Sequence, residues 1–168
     1  MNKVMIFANS KQGLSVLDVR NWYQLAQLDG DTKLVERVCS WYTCLLETVE
    51  PAGLVALPID MAAFLRIPTE LVLFAFEGDL LVATAQASLV RPASRCEVIV
   101  SNVVVESSRR GRGYGTTLVR RLEILAADRW LLPRFFRLRA ELPSPQAAQF
   151  FTRLGYTIRG DVLAYKVR

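Results

Sequence analysis

The stretch that decides the reading runs Val103-Val104-Val105-Glu106-Ser107-Ser108-Arg109-Arg110-Gly111-Arg112-Gly113-Tyr114-Gly115-Thr116-Thr117-Leu118. A β-branched run stops at Glu106, three glycines fall within five residues, and a helical pattern follows at once. This is a strand, a glycine loop and a helix start. Such a loop aims several backbone N–H groups at one place, and the helix dipole adds partial positive charge there. Glycine allows positive φ and close approach of a ligand to the backbone. Arg109, Arg110 and Arg112 add full charges. The ligand these features suit is a phosphate or pyrophosphate.

Two common phosphate loops are excluded by spacing. A P-loop ends in Gly-Lys-Ser/Thr, and no Lys follows the glycines here. A dinucleotide fingerprint runs Gly-x-Gly-x-x-Gly, whereas Gly111, Gly113 and Gly115 run Gly-x-Gly-x-Gly. An ordinary Gly-rich turn and a solvated Arg-Gly segment are the plainer alternatives. Against the second, Arg-Gly tracts are repeated and disordered, while this one is single and lies between two apolar elements.

The segment Arg110-Gly111-Arg112-Gly113-Tyr114-Gly115 matches the pattern Gln/Arg-x-x-Gly-x-Gly/Ala and resembles the coenzyme A loop of the GNAT superfamily of N-acetyltransferases. Phe150-Phe151-Thr152-Arg153-Leu154-Gly155-Tyr156 is similar to that family's late Phe-Tyr-x-x-x-Gly-Phe segment. The resemblance covers roughly residues 70 to 168. Residues 1 to 66 carry no such signal by themselves.

The resemblance implies an α/β (α+β) fold: a mixed, mostly antiparallel central sheet with helices on both faces and a splayed cofactor cleft. It implies acetyl-CoA as cofactor. The residues expected around it are the strand edge Val103, Val104 and Val105, the loop Arg110, Gly111, Arg112, Gly113, Tyr114, Gly115 and Thr116, and then Ser144 and Phe151. Two of these depart from the family pattern. Phe151 stands where many relatives have a Tyr directed at the cofactor sulfur, and Ser144 stands where many have Asn. The usual general acid is therefore missing. The implied organisation is one domain over 1–168, with a mainly helical acceptor-side region in 1–66 and a coenzyme A-binding core in 70–168.

Aminolysis of a thioester needs a neutral amine, and a free alkyl amine has a pKa near 10. A carboxylate, directly or through water, is the natural proton acceptor. Glu97, near the start of the strand that ends in the loop, is the first candidate. Some relatives place a catalytic Glu about two residues from this register. Glu106 is second, in a position that is usually structural. Period two places Glu97, Ile99, Ser101, Val103 and Val105 on one face, and Val98, Val100, Asn102, Val104 and Glu106 on the other.

Composition narrows the chemistry. The chain has 168 residues, 52% apolar and 22% charged, which suits one globular domain with a real core. It contains no His, which removes Ser-His-Asp and Cys-His catalysis and His-ligated zinc. Three Cys, an odd number, argue against a disulfide framework, and no metal is expected. Every apolar run is interrupted by charge before membrane-spanning length, and the apolar run near the N-terminus is too short for a signal peptide's apolar region. The cysteines read as buried reduced thiols, so the expected compartment is the cytoplasm. A net charge of +5 permits an acidic partner without demanding one.

Along the chain the expected elements are a strand at 4–8, a helix from Leu17 to Gly30, a second helix from Asp31 or Thr32 to about Pro51, and a short helix at 59–65. A hairpin of 71–76 and 80–89 turns at Glu77-Gly78-Asp79. Strand 96–105, helix 116–130 and strand 135–141 follow. A helix at 144–154 has Ser144 as N-cap, Pro145 at its first position and Gly155 past its end. A last strand pair lies at 156–159 and 163–167. The leading function is an acetyl-CoA-dependent N-acetyltransferase acting on a primary amine of a small molecule, peptide or aminoacyl-tRNA. A homodimer is compatible with the sequence. The alternative is a non-catalytic acyl-CoA-binding or macromolecule-binding protein on the same fold. The alternating Arg134-Phe135-Phe136-Arg137-Leu138-Arg139 would be its nucleic-acid face, but a half-buried strand is the preferred reading of that alternation.

Overall fold

A computed structural model describes residues 8–9, 13–20, 30, 32–47, 67–78, 80–90, 96–132, 136–141, 144–159 and 163–167. In chain order the elements are β1 (Ala8–Asn9), β2 (Leu14–Asp18), α1 (Thr32–Glu47), β3 (Glu70–Glu77), β4 (Leu80–Val90) and β5 (Glu97–Val105). A 3₁₀ turn (Ser107–Arg109) leads to α2 (Tyr114–Arg129), then β6 (Arg137–Glu141), α3 (Pro145–Arg153), β7 (Thr157–Arg159) and β8 (Leu163–Val167). The strands form one sheet in the order β1-β2-β3-β4-β5-β6-β8-β7. Only β5 and β6 run parallel, so the sheet is mixed and mostly antiparallel, as expected.

β3 is buried along its whole middle, Leu71 through Phe76. Its unbroken apolar run fits a strand covered on both faces. Leu71, Leu73 and Ala75 join Ala83, Ala85 and Ala87 of β4 under Leu118, Leu122 and Ala126 of α2. Val72, Phe74 and Phe76 face the other way, against Val38, Tyr42, Leu45 and Leu46 of α1. These α1 residues recur at helical spacing, so one stripe serves one face of the sheet. The β3–β4 hairpin pairs Glu77 with Leu80, and Gly78, which follows Glu77, takes φ +62°. The far end of α2 is tied down by Trp130, whose indole N–H donates to the Pro68 carbonyl at 3.0 Å, and by an Arg129–Asp18 ion pair at 3.1 Å.

Two expectations are corrected. Leu17 does not open a helix. It pairs with Phe74 inside β2, and helical conformation begins only at Val19. Asp18 marks the change, its carboxylate accepting from the Arg20 amide at 2.9 Å. The second correction concerns the two faces of β5. Gln86 pairs with Ser101 but Thr84 with Val104, so Asn102 and Val103 together oppose Ala85 in a bulge. Asn102 takes φ +49°, a conformation Asn tolerates better than most residues. Beyond it the alternation inverts. Val104 joins Glu97, Ile99 and Ser101 on the α1 face, whereas Val103 and Val105 join Val98 and Val100 on the α2 face.

Smaller differences concern boundaries. α2 starts at Tyr114, two residues before the expected Thr116. Ser144 caps α3 as expected, accepting from the Ala147 amide at 3.2 Å, and Gly155 follows at φ +87°. The expected strand start at 4–7, the end of the second helix at Pro51, the helix at 59–65 and the last turn at Gly160-Asp161 lie outside the described residues. Among the described residues no helix is long and apolar enough to cross a membrane.

Candidate functional site

β5 and β6 are hydrogen-bonded only from Glu97↔Arg137 to Val100↔Ala140. β5 continues to Val105, and no described strand pairs with residues 101–105 on that side. The two parallel strands thus part beyond Val100. β5 presents a free main-chain edge that leads directly into the glycine loop, and this is the splay expected from the sequence.

The loop is exposed from Arg110 to Gly113. Gly111 and Gly113 have φ of +79° and +82°, which an L side chain resists. Gly113 is the N-cap of α2, and no side chain caps this helix. Thr117 makes the first intrahelical bond, to the Gly113 carbonyl at 3.0 Å. The amides of Tyr114, Gly115 and Thr116 precede it, and they are the donors a helix leaves over at its start. They point outward with the positive end of the dipole. Gly115 is glycine for a different reason. A Cβ there would come within 3.3 Å of the Phe150 ring, so the residue lets α2 and α3 close on each other.

A carboxylate not anticipated from the sequence organises the loop. Glu77, at the end of β3, accepts from the Tyr114 hydroxyl at 2.9 Å, pairs with Arg109 and reaches Arg112 at 3.3 Å. The Tyr114 hydroxyl, followed by the two guanidinium groups, holds its pKa below the usual carboxylate range. The signal for such a residue was the Arg cluster, whose charges need a counterion. The separation of 32 positions between Glu77 and Arg109 concealed which acid supplies it. Arg110 is engaged differently, donating from Nε to the Val105 carbonyl at 3.2 Å, and this brings its charge to the free edge of β5.

Glu106 caps the 3₁₀ turn. Its carboxylate accepts from the Ser108 hydroxyl, the Ser108 amide and the Ser107 hydroxyl, and these bonds with Arg109 nearby lower its pKa. Glu97 is placed otherwise. It is partly exposed on the α1 face, three residues before the pairing with β6 stops, and its side chain makes no hydrogen bond among the described residues. Phe151 is buried, its ring 5.0 Å from both Phe150 and Tyr156. The Ser144 hydroxyl is occupied by its cap. Val103 and Val105 lie partly buried against the α2-side core, and Val104 is buried beneath α1. The loop glycines, the uncapped helix start and the β5 edge therefore come together. Glu97 lies at the opposite end of β5, and Ser144 and Phe151 belong to α3 and its packing.

The comparisons with known proteins agree with this geometry. The model of the acetyltransferase (GNAT) family matches residues 35–156, and the chain belongs to that family. The match begins within α1, well before the region in which the motifs lie. Many solved structures share the fold. An aminoglycoside 6'-N-acetyltransferase complexed with coenzyme A has 20% identity and a TM-score of 0.59, covering 77% of this chain and 89% of that one. A GNAT acetyltransferase from Streptococcus pneumoniae has 15% identity and a TM-score of 0.64, covering 92% and 99%. Glucosamine-6-phosphate N-acetyltransferase from Arabidopsis thaliana has 12% identity and a TM-score of 0.63, covering 88% and 94%. The comparison with curated proteins gives no match. Acetyl-CoA is the cofactor of this family. The chain's own features fit it: an uncapped helix start behind two positive-φ glycines for the diphosphate, and an unpaired strand edge for the amide-bearing pantetheine arm.

Proposed function

We propose that this chain is an acetyl-CoA-dependent N-acetyltransferase acting on a primary amine, and that residues 1–168 work as one acetyltransferase domain. The observation that carries this reading is the continuity of the free β5 edge with the uncapped start of α2. The first-turn amides of α2, with Arg110 and Arg112, bind the diphosphate. The main chain of Val103–Val105 pairs with the pantetheine amides. Bound acetyl-CoA supplies an activated acetyl thioester.

Unpaired amides of β5 beyond Val100 stabilise negative charge developing on the acyl oxygen. Glu97, on the α1 face and without a partner, accepts the amine's proton through water. Glu106 is less suited, because two serines occupy its oxygens. The Tyr114 and Tyr156 hydroxyls donate to Glu77 and Glu123, and Phe151 has none to offer. These three positions therefore supply no general acid. A thiol with a pKa of about 8.5 does not require one. Two of the fold neighbours named above are N-acetyltransferases, which supports nitrogen as the acceptor atom.

The test is Gly113→Glu. The new carboxylate would occupy the anion site, and acetyl-CoA binding by calorimetry should disappear while circular dichroism shows a retained fold. Unchanged affinity would remove the assignment. The absence of a hydroxyl at Phe151 favours one second reading, an acyl-CoA-binding protein without turnover. Thiol release with a panel of amines separates the two.

A further inference from the structure

We propose that Arg139 binds an oxyanion, carboxylate or phosphate, carried by the amine acceptor. The proposal deepens the acetyl-transfer reading and rests on it. Arg139 lies on β6, across from Ile99 of β5. Its neighbours Leu138 and Ala140 are buried on the α2 face, so strand alternation turns Arg139 to the α1 face, together with Glu97, Ile99 and Ser101. Pairing of β5 with β6 stops one residue further on. Arg139 therefore stands at the closed end of the splay, where a reacting amine has to approach.

Its Nε is buried and has no hydrogen-bond partner among the described residues. A guanidinium keeps its proton in a protein, so one donor of a charged group is withdrawn from water without an acceptor. Buried charges are otherwise paired, and an exception calls for an explanation. Among the described residues, four other cations have an acidic partner: Arg109 and Arg112 with Glu77, Arg129 with Asp18, and Lys166 with Glu123. Arg20 also has an unpartnered Nε, but its guanidinium is tethered to the Ile67 carbonyl at 3.3 Å. Arg139 has no such tether.

The planar fork of Arg suits a two-pronged contact with a carboxylate or phosphate. Glu97 lies on the adjacent strand, two residues back in register, which puts its Cα about 8 Å away at ordinary strand spacing. It forms no ion pair with Arg139 among the described residues. The α1 face of the paired segment therefore displays Glu97, with Arg137 directly across the strand from it, and Arg139 nearest the splay, and neither Glu97 nor Arg139 is in an ion pair among the described residues. That pattern suits an acceptor bearing both an amine and an oxyanion.

Matched amine pairs test the idea: α-amino acids against their carboxamides, and an amino sugar phosphate against the same sugar without phosphate. Thiol release is followed for the wild type, Arg139→Met and Arg139→Lys. The wild type should prefer the anionic member of at least one pair by about tenfold or more in kcat/KM, expressed in KM. Arg139→Met should lose that preference and keep its affinity for acetyl-CoA, and Arg139→Lys should retain part of it. Arg139→Met should also melt no lower than the wild type, because an uncompensated charge has been removed. Equal rates on both members of every pair, or a preference that survives Arg139→Met, would overturn the assignment. Failure to bind acetyl-CoA would instead sink the acetyl-transfer reading. Arg139 would then be judged by thermal shift with the anionic amines alone. Stabilisation of the wild type but not of Arg139→Met supports the site, and equal behaviour rejects it.

Discussion

Glu123→Ala should strongly destabilise the fold. The Glu123 side chain is 4% exposed and that of Lys166 24% exposed. The Lys166 ammonium donates to both Glu123 oxygens, at 3.1 and 3.0 Å, and to the Leu154 carbonyl at 3.1 Å. The Tyr156 hydroxyl donates to the same carboxylate at 3.1 Å, and the ammonium lies 5.4 Å from the Tyr156 ring centroid. The network thus joins α2, β8 and the end of α3. Breaking a buried pair by removing one partner costs about 3–5 kcal/mol. Lys166 retains some contact with water, which places the cost near the lower end, about 3 kcal/mol, including the Tyr156 hydroxyl's lost acceptor. For a chain of this size that is a fall in Tm of roughly 6–12 °C. Glu123→Met combined with Lys166→Met should recover most of the loss, because the desolvation of both charges is removed together. Differential scanning calorimetry of the single and double variants decides the matter. A fall below about 2 °C for Glu123→Ala, or a double variant as unstable as the sum of its singles, would refute the argument.

Three further outcomes follow from the site and its surroundings. Glu97→Gln should lower turnover more at about pH 7 than at about pH 9, where free amine is abundant, and an equal loss at both would remove Glu97 as proton acceptor. Glu77 has its pKa lowered in the folded state, so its stabilisation is present above the ordinary value of 4.5 and is lost as pH falls through the lowered one. Glu77→Gln should therefore melt below the wild type at neutral pH, and the two melting curves should converge beneath pH 4.5; a gap of constant size would contradict the Tyr114 and Arg109 contacts. Cys39 is partly buried and burial pushes its thiol upward, whereas Cys44 is exposed on the same helix. Alkylation followed by mass spectrometry should label Cys44 first, and the opposite order would count against the packing of α1 on the sheet.

What could be read from the sequence, and what could not, divides along a physical line. The loop was legible because its requirements are local. Gly111 and Gly113 have positive φ whatever they bind, and Ser144-Pro145 with Gly155 announces a helix by rules spanning a few residues. The β3–β4 hairpin was legible for the same reason. Features that escaped depend on partners distant in sequence. Glu77 reads as one half of a turn until Arg109, Arg112 and Tyr114 fold back onto it. The end of β2 reads as a helix start because Leu17 and Asp18 precede the helically spaced Val19, Trp22, Tyr23 and Ala26, and only pairing with β3 makes Leu17 and Asp18 part of a strand.

Two misses did leave a trace. Glu123 falls between Val119 and Ala126, on the stripe of α2 that those residues widen, and an acid on an apolar stripe calls for a partner. Asn102 interrupts a β-branched run, and Asn is among the residues that accept positive φ. The bulge at Asn102 has the larger consequence. Without it, Val103 and Val105 would share a face with Glu97, and the cofactor edge and the candidate base would lie on one side of the sheet. With it, the valines turn to the α2 side, where the glycine loop is, while Glu97 and Arg139 stay on the α1 side. One extra residue thus sets Val103 and Val105 on the opposite face of β5 from Glu97, and on the proposed reading the cofactor edge and the proton acceptor face each other only through the gap where β5 and β6 part.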